Sequence, residues 1–563
     1  MSHILHTAWK KRERLGLDLT LIVLSAVALV HAIGATSDLH WPYDADQDRD
    51  TGLAQTVLDH RYGMDHIYLG ETIWYNPLTS IIVATLSRTT GAPPYLVTTR
   101  AGVYLNLLAP FAFYLLVAYL FDRWTALAST SAFLFAPIGD APSWAAASYS
   151  PWLFGENFVQ ALFYLTLTAY CKALESKRQL WFIAVGVLLG VTFLGHTAPA
   201  VIFGAIVVVT CIKSAIQHRE DDLASIVSTQ EIRGLGPIVA VAFVVSLPFT
   251  FSILGRYHLR ILNSEPSNWM YPPLAASNLP AFLRDNLSCF SIIAGLGFLV
   301  VVMEPSIRHR KTLLLTWLAA CCLELGLNFA QQVSPHKLHL MFVPAHHFLF
   351  YLKAIQDILF GAGLVFIGRV LARNLPSTLF GISLTTSKGN YLRHRIEPAL
   401  VAVCVLCFLA LAFPTYCTRF DFTTARAKSL EIQQYKKARI DAYRWILSNT
   451  QPDDVFLSTA DDLDLRVVAP AARKLVFTYV PTFSNPYVDW ESRAEAARLM
   501  ASQLVSGSPN TLETLGKYQV KYVIASPALF GGLEYYSAPF LSKEFAEGEV
   551  LIYRVRDMAK RSQ

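Results

Sequence analysis

Charged side chains are scarce in this chain. Asp, Glu, Lys and Arg supply 16% of its residues and hydrophobic ones 53%, with a mean hydropathy of +0.38, which excludes an ordinary soluble protein. A His-Glu-x-x-His sequence is missing, and the single Cys-x-x-Cys, Cys404 to Cys407, lies inside an apolar run with no second pair to complete a ligand set, so a structural zinc site of the usual kind is excluded. Six of the eight cysteines, Cys171, Cys211, Cys321, Cys322, Cys404 and Cys407, fall within or at the edges of apolar runs. With Cys289 and Cys417 isolated, no disulfide framework emerges. Internal repeats and low-complexity segments are also lacking. The net charge of +6 comes from Lys and Arg beside apolar segments, with no basic stripe carrying interleaved aromatics, so nucleic acid is excluded as a partner and membrane lipids are expected instead.

What the chain does have is long apolar runs. They recur from Leu17 to Pro414, at Leu17 to Gly34, Tyr95 to Phe121, Trp124 to Ile138, Phe158 to Leu174, Leu180 to Leu194, Ala198 to Ile212, Leu235 to Leu254, Cys289 to Met303, Leu313 to Ala330, Phe348 to Leu371 and Ala399 to Phe413. The expectation is a polytopic helical membrane protein of about eleven spans, with the pair flanking His196 readable as one broken helix. The first run has a basic flank, Lys10-Lys11-Arg12, but no small-residue cleavage site follows, so it is expected to stay as the first span. Placing the N-terminus inside gathers Lys172 to Arg178, Lys213 to Arg233, Arg308 to Lys311 and Arg369 to Arg395 on one side. An odd span count then puts residues 35–94, 139–157, 255–288, 331–347 and everything after Phe413 outside.

After Pro414 the pattern changes. Tyr443-Arg-Trp-Ile-Leu is amphipathic, while Asp454-Val-Phe-Leu-Ser, Leu475-Val-Phe-Thr-Tyr and Lys521-Tyr-Val-Ile-Ala read as strands. The expected division is a transmembrane domain over 1–414 and an extracytoplasmic α/β domain over 415–563.

The first outer loop, residues 35–94, is far longer than a connection requires and has its own amphipathic segments. It opens on four alternating carboxylates, Asp44, Asp46, Asp48 and Asp50. Such a cluster is costly unless a cation, an arginine or a substrate offsets it. An extended chain would put Asp44, Asp46 and Asp48 on one side, whereas a helix beginning near Asp48 would use Asp48 or Asp50 as its cap.

The acidic motif after the first span, Asp46-x-x-Arg49 running into Ala54, then Gly63 and Tyr75-Asn-Pro77-Leu78, resembles the first loop of the GT-C membrane glycosyltransferases. The resemblance is to the branch with the lipid A aminoarabinose transferase and the protein O-mannosyltransferases, and Asn76 departs from the residues usual at its position. It implies transfer of a hexosyl or pentosyl unit from a polyprenyl-phosphate donor to an envelope lipid, glycan or protein acceptor, on the outer side of a bacterial cytoplasmic membrane. By family position Asp46 is the expected base, with Asp44, Asp48 and Asp50 as alternatives, and Arg49 and Tyr75 are expected to bind substrate.

The family also places a second acidic residue in the second outer loop. Glu156 fills that position at the lip of an apolar helix, where with Asp46 it can hold a divalent metal cation through oxygen ligands or bind the acceptor. Cations for the carrier phosphate are expected from His336, Lys337, His346 and His347, with Arg256, Arg260 and His196 as further substrate-binding candidates. An oligosaccharyltransferase shares this topology, but its Trp-Trp-Asp-Tyr-Gly motif is missing here. A polytopic transporter or flippase is the alternative from another class, and the long structured loop and terminal α/β domain weigh against it.

Overall fold

A computed structural model describes residues 2–136, 146–218, 229–304, 308–333, 343–374, 387–460, 462–506, 508, 510–526 and 540–556. Ten of the eleven apolar runs lie wholly or largely within one helix each, and the run Tyr95 to Phe121 is divided into the consecutive helices Pro94–Arg100, Gly102–Leu105 and Leu108–Leu120. Among the described residues, seven helices are both long and apolar enough to cross a membrane. They are Lys11–Thr36, Gly102–Leu120, Thr197–Gln217, Gln230–Arg256, Arg310–Val333, His346–Asn374 and Ile396–Cys417, so the chain is a multi-pass membrane protein. The other four runs form Arg123–Phe135, Gly155–Ser176, Gln179–Gly195 and Cys289–Met303, which are shorter or less apolar. All eight cysteines are unpaired.

Backbone-to-backbone packing joins two of these helices directly. A Cβ added at Gly297 would stand 1.7 Å from the Leu359 carbonyl oxygen, and one at Gly363 would stand 2.2 Å from that of Ile293. Helices Cys289–Met303 and His346–Asn374 therefore touch through small residues, as membrane helices commonly do. His196, in extended conformation (φ −163°, ψ 142°), separates Gln179–Gly195 from Thr197–Gln217, so the chain there forms two helices.

The long loop over 35–94 folds into α2 (Ala45–Leu58) and α3 (Leu78–Thr90), following α1 (Ser2–Thr36). After the last apolar helix comes helix Lys436–Asn449, then a five-stranded sheet: β1 (Val455–Ser458), β2 (Lys474–Leu475), β3 (Val520–Ala525), β4 (Leu541–Glu547) and β5 (Val550–Val555), in the order β2-β1-β3-β5-β4. β1 runs parallel to β2 and β3, and β5 runs antiparallel to β3 and β4. One strand expectation needs correction: the Leu475 run pairs only at Lys474 and Leu475. The β4–β5 hairpin has no counterpart in the sequence reading; β4 is largely polar, and the first four residues of β5 form a short, continuously buried apolar run without alternation.

One apolar cluster joins the first loop to the sheet: Trp41, Ile67, Tyr68 and Tyr95 pack with Tyr443, Phe456, Val467, Leu475 and Ile552. The rings of Trp41 and Tyr95 lie 4.9 Å apart and those of Tyr95 and Tyr443 5.3 Å. The Leu475 amide donates to Ile67 O at 2.8 Å, extending the sheet edge into the loop.

Asp464, buried in the turn after β1, accepts the Tyr479 amide at 2.8 Å, yet burial pushes its carboxyl up to about 7. Between about pH 4 and pH 7 the unfolded chain is ionised there and the folded one holds the proton, so this group's contribution falls as pH rises, by roughly 4 kcal/mol across the window. Asp464→Asn is expected to remove that slope. In detergent, the Tm of the variant relative to wild type should climb from pH 5 to pH 8, and a constant difference would count against the assignment.

Candidate functional site

The acidic run is helical from Ala45, which corrects both the extended reading and the caps at Asp48 or Asp50. Asp44 (φ −118°) is the cap, its carboxylate accepting the Asp46 amide at 3.0 Å. Helical spacing then sorts the other three carboxylates. Asp46, Arg49 and Asp50, three and four apart, share one side of α2, and Asp48 points elsewhere. Arg49 donates to Asp46, pairs with Asp50 at 3.2 Å and lies over the Tyr75 ring, 3.4 Å from its centroid. Asp48, buried, receives Nη1 of Arg466 at 2.6 Å.

Burial raises the proton affinity of these carboxylates. Burial pushes Asp44 up to about 6 and both Asp48 and Asp50 up to about 7. Asp46 is raised as well, by burial, with Arg49 pulling it down and Glu156 pushing it up. Its side chain keeps 26% of its surface exposed against 5% for Asp50, so Asp46 remains the more accessible of the Arg49-bound pair.

Glu156 stands in the first turn of helix Gly155–Ser176. Its Oε1 lies 3.1 Å from Nδ1 of His347 and 3.8 Å from Nε2 of His196, and the two imidazole rings are 4.5 Å apart. One donor atom from each of the three residues falls within 4.8 Å of the others, a spacing suited to a metal ion. His347 Nδ1 is buried and makes no aligned hydrogen bond despite its nearness to Glu156. His196 Nδ1 accepts the Ala198 amide at 3.2 Å, which puts the proton of the neutral ring on Nε2, toward Glu156. A cation at Nε2 would shift that proton to Nδ1 and end the cap.

The other sequence candidates are distributed as follows. His346 is buried beside this group, its ring 4.0 Å from that of His347 and edge-on to Trp269 at 4.8 Å. Asn76 donates to Phe193 O at 2.6 Å, tying the Tyr75 segment to the helix end before His196. Arg256 points into the first loop, donating to Gly70 O at 2.6 Å, and Arg260 is exposed. His336 and Lys337 lie outside the described residues. Residues of the first loop and of the helix ends at Glu156, His196 and His347 thus meet at one place. Sequence reasoning flagged His196 and His347 without joining them to Glu156, and it missed Arg466, which carries no local signal at 418 positions from Asp48.

Comparison by sequence returns no matching family model and no matching curated protein. Comparison by structure does find similar folds. The crystal structure of the Archaeoglobus fulgidus oligosaccharyltransferase, tethered to an acceptor peptide with the NVT sequon, aligns at a TM-score of 0.50 and 15% identity, over 90% of this chain and 69% of that one. The apo structure of ArnT from Cupriavidus metallidurans aligns at a TM-score of 0.50 and 14% identity, over 95% of this chain and 98% of that one. Both are GT-C glycosyltransferases, and this chain has their fold.

Proposed function

We propose that this GT-C-fold protein transfers a sugar from a polyprenyl-phosphate donor to an acceptor hydroxyl or amide of the cell envelope, outside a bacterial cytoplasmic membrane. The observation that carries the reading is the meeting of Asp46, Arg49 and Tyr75 from the first outer loop with Glu156, His196 and His347 from three later segments. A transporter has no need of a base held by an arginine at an outer membrane lip. In the reaction the acceptor atom attacks the anomeric carbon, the bond from that carbon to the phosphate oxygen breaks, and the carrier leaves as polyprenyl phosphate. Asp46 takes the proton from the acceptor.

Arg49, held by Asp46, Asp50 and Tyr75, keeps the base oriented. Glu156, His196 and His347 would hold a divalent cation, whose chemistry is to offset charge on the departing phosphate. Two imidazoles and a carboxylate suit a borderline metal such as zinc better than magnesium. The oxygen-only pair Asp46 and Glu156 is the alternative ligand set. Residues 1–414 form the membrane-embedded catalytic part and 415–563 the outer domain.

The deciding experiment supplies purified protein with a labelled polyprenyl-phosphate sugar and extracted envelope acceptors. Label is expected to move to an acceptor fraction. Solute flux across liposomes without any transfer would replace the enzyme with a transporter.

A further inference from the structure

The residues of α2 that do not face the site form a stripe of their own. Asp48, Gly52, Gln55 and Asp59 are spaced four, three and four apart, and all four meet the C-terminal part of the chain. Asp48 takes Arg466 at 2.6 Å, Gln55 takes the Tyr443 hydroxyl at 2.6 Å, and Asp59 takes Arg473 at 3.2 Å. At Gly52 a Cβ would fall 2.1 Å from the Ala469 carbonyl oxygen, so the turn bearing Arg466 presses directly on the helix. Arg466 is itself gripped by Asp462 at 3.0 Å, and Asp462 by Arg439 at 2.9 Å. Only the Arg466 contact lies in the same turn of α2 as Asp46.

We propose that Arg466 is a positioning residue for the acidic cluster: by holding Asp48 it fixes the first turn of α2 so that Asp46 and Arg49, on the adjoining side, face Glu156. This rests on the sugar-transfer reading for its catalytic consequence alone. The physical reason is geometric. A carboxylate buried beside one guanidinium loses its orientation and its charge partner together when that group is removed, and a small displacement of a base is costly to the rate.

Arg466→Gln is expected to lower kcat about tenfold or more while donor KM moves less than about threefold. Hydrogen exchange at the amides of residues 47–52 should speed up about tenfold, with the β3 amides of residues 520–525 unchanged. Arg466→Lys should recover part of kcat. Arg466→Gln combined with Asp48→Asn removes both charges, guards against misfolding from an unpaired carboxylate, and should keep the kcat defect. Arg473→Gln, at the far end of the same stripe, should lower Tm with a much smaller loss of kcat. Unchanged exchange over residues 47–52, or a full wild-type kcat in Arg466→Gln, would overturn the proposal. If wild type transfers no sugar from any donor, the transfer reading fails, and the exchange measurement still decides whether Arg466 holds the helix.

Discussion

Asp46→Asn is expected to slow sugar transfer by about a thousandfold, with Tm close to that of wild type, because a positioned base contributes on the order of 10² to 10⁴ in rate. The other three carboxylates of the run are committed elsewhere. Asp44 caps α2, Asp48 is taken by Arg466, and Asp50 is buried against Arg49. Asparagine at 46 keeps an oxygen for Arg49, and Asp50 and the Tyr75 ring continue to hold the guanidinium, so packing changes little. Asp44→Asn is the control. Asparagine caps a helix as well as aspartate does, so that variant should lose no more than a few-fold. Initial rates with labelled donor compare the two. Normal transfer by Asp46→Asn together with a dead Asp44→Asn would keep the reaction and reassign the base.

Glu156→Gln should cost about a hundredfold and release any bound divalent metal, since the amide oxygen is a poor ligand where a carboxylate served. The donor set of one carboxylate and two imidazoles makes a sharper demand. His196→Ala and His347→Ala should each lower metal content measured on the purified protein, and zinc or a similar ion should support transfer better than magnesium. Loss of metal in Asp46→Asn with retention in both histidine variants would favour the oxygen-only pair. Retention of metal and rate in Glu156→Gln would remove this residue from the site.

Much of this was legible along the chain. Apolar run length located the helical segments, because a span must satisfy its own backbone and so declares itself locally. Among the described residues, however, only seven helices are long and apolar enough to cross a membrane, against the eleven expected. The first loop and the Glu156 lip stood out because charge is rare and expensive at a membrane boundary. Helix or strand in the Asp44 to Asp50 run was not legible, as alternating carboxylates fit either period, and the cap at Asp44 depends on one backbone angle. The β4–β5 hairpin escaped because β4 is largely polar and β5 opens on a short run of four buried residues, which carries no period of two.

The sequence by itself determined a multi-span helical protein, a long first loop opening on an acidic run, and the candidates Asp46, Arg49, Tyr75, Glu156, His196 and His347. Tertiary structure alone decided that Asp46 and Asp44 stay partly accessible while Asp48 and Asp50 are buried, that His347 and His196 converge on Glu156, and that the turn after β1 meets α2 through Arg466. The reason is range. Helical spacing links residues three or four apart, whereas the partner of Asp48 lies 418 positions away and becomes its neighbour only when the chain folds.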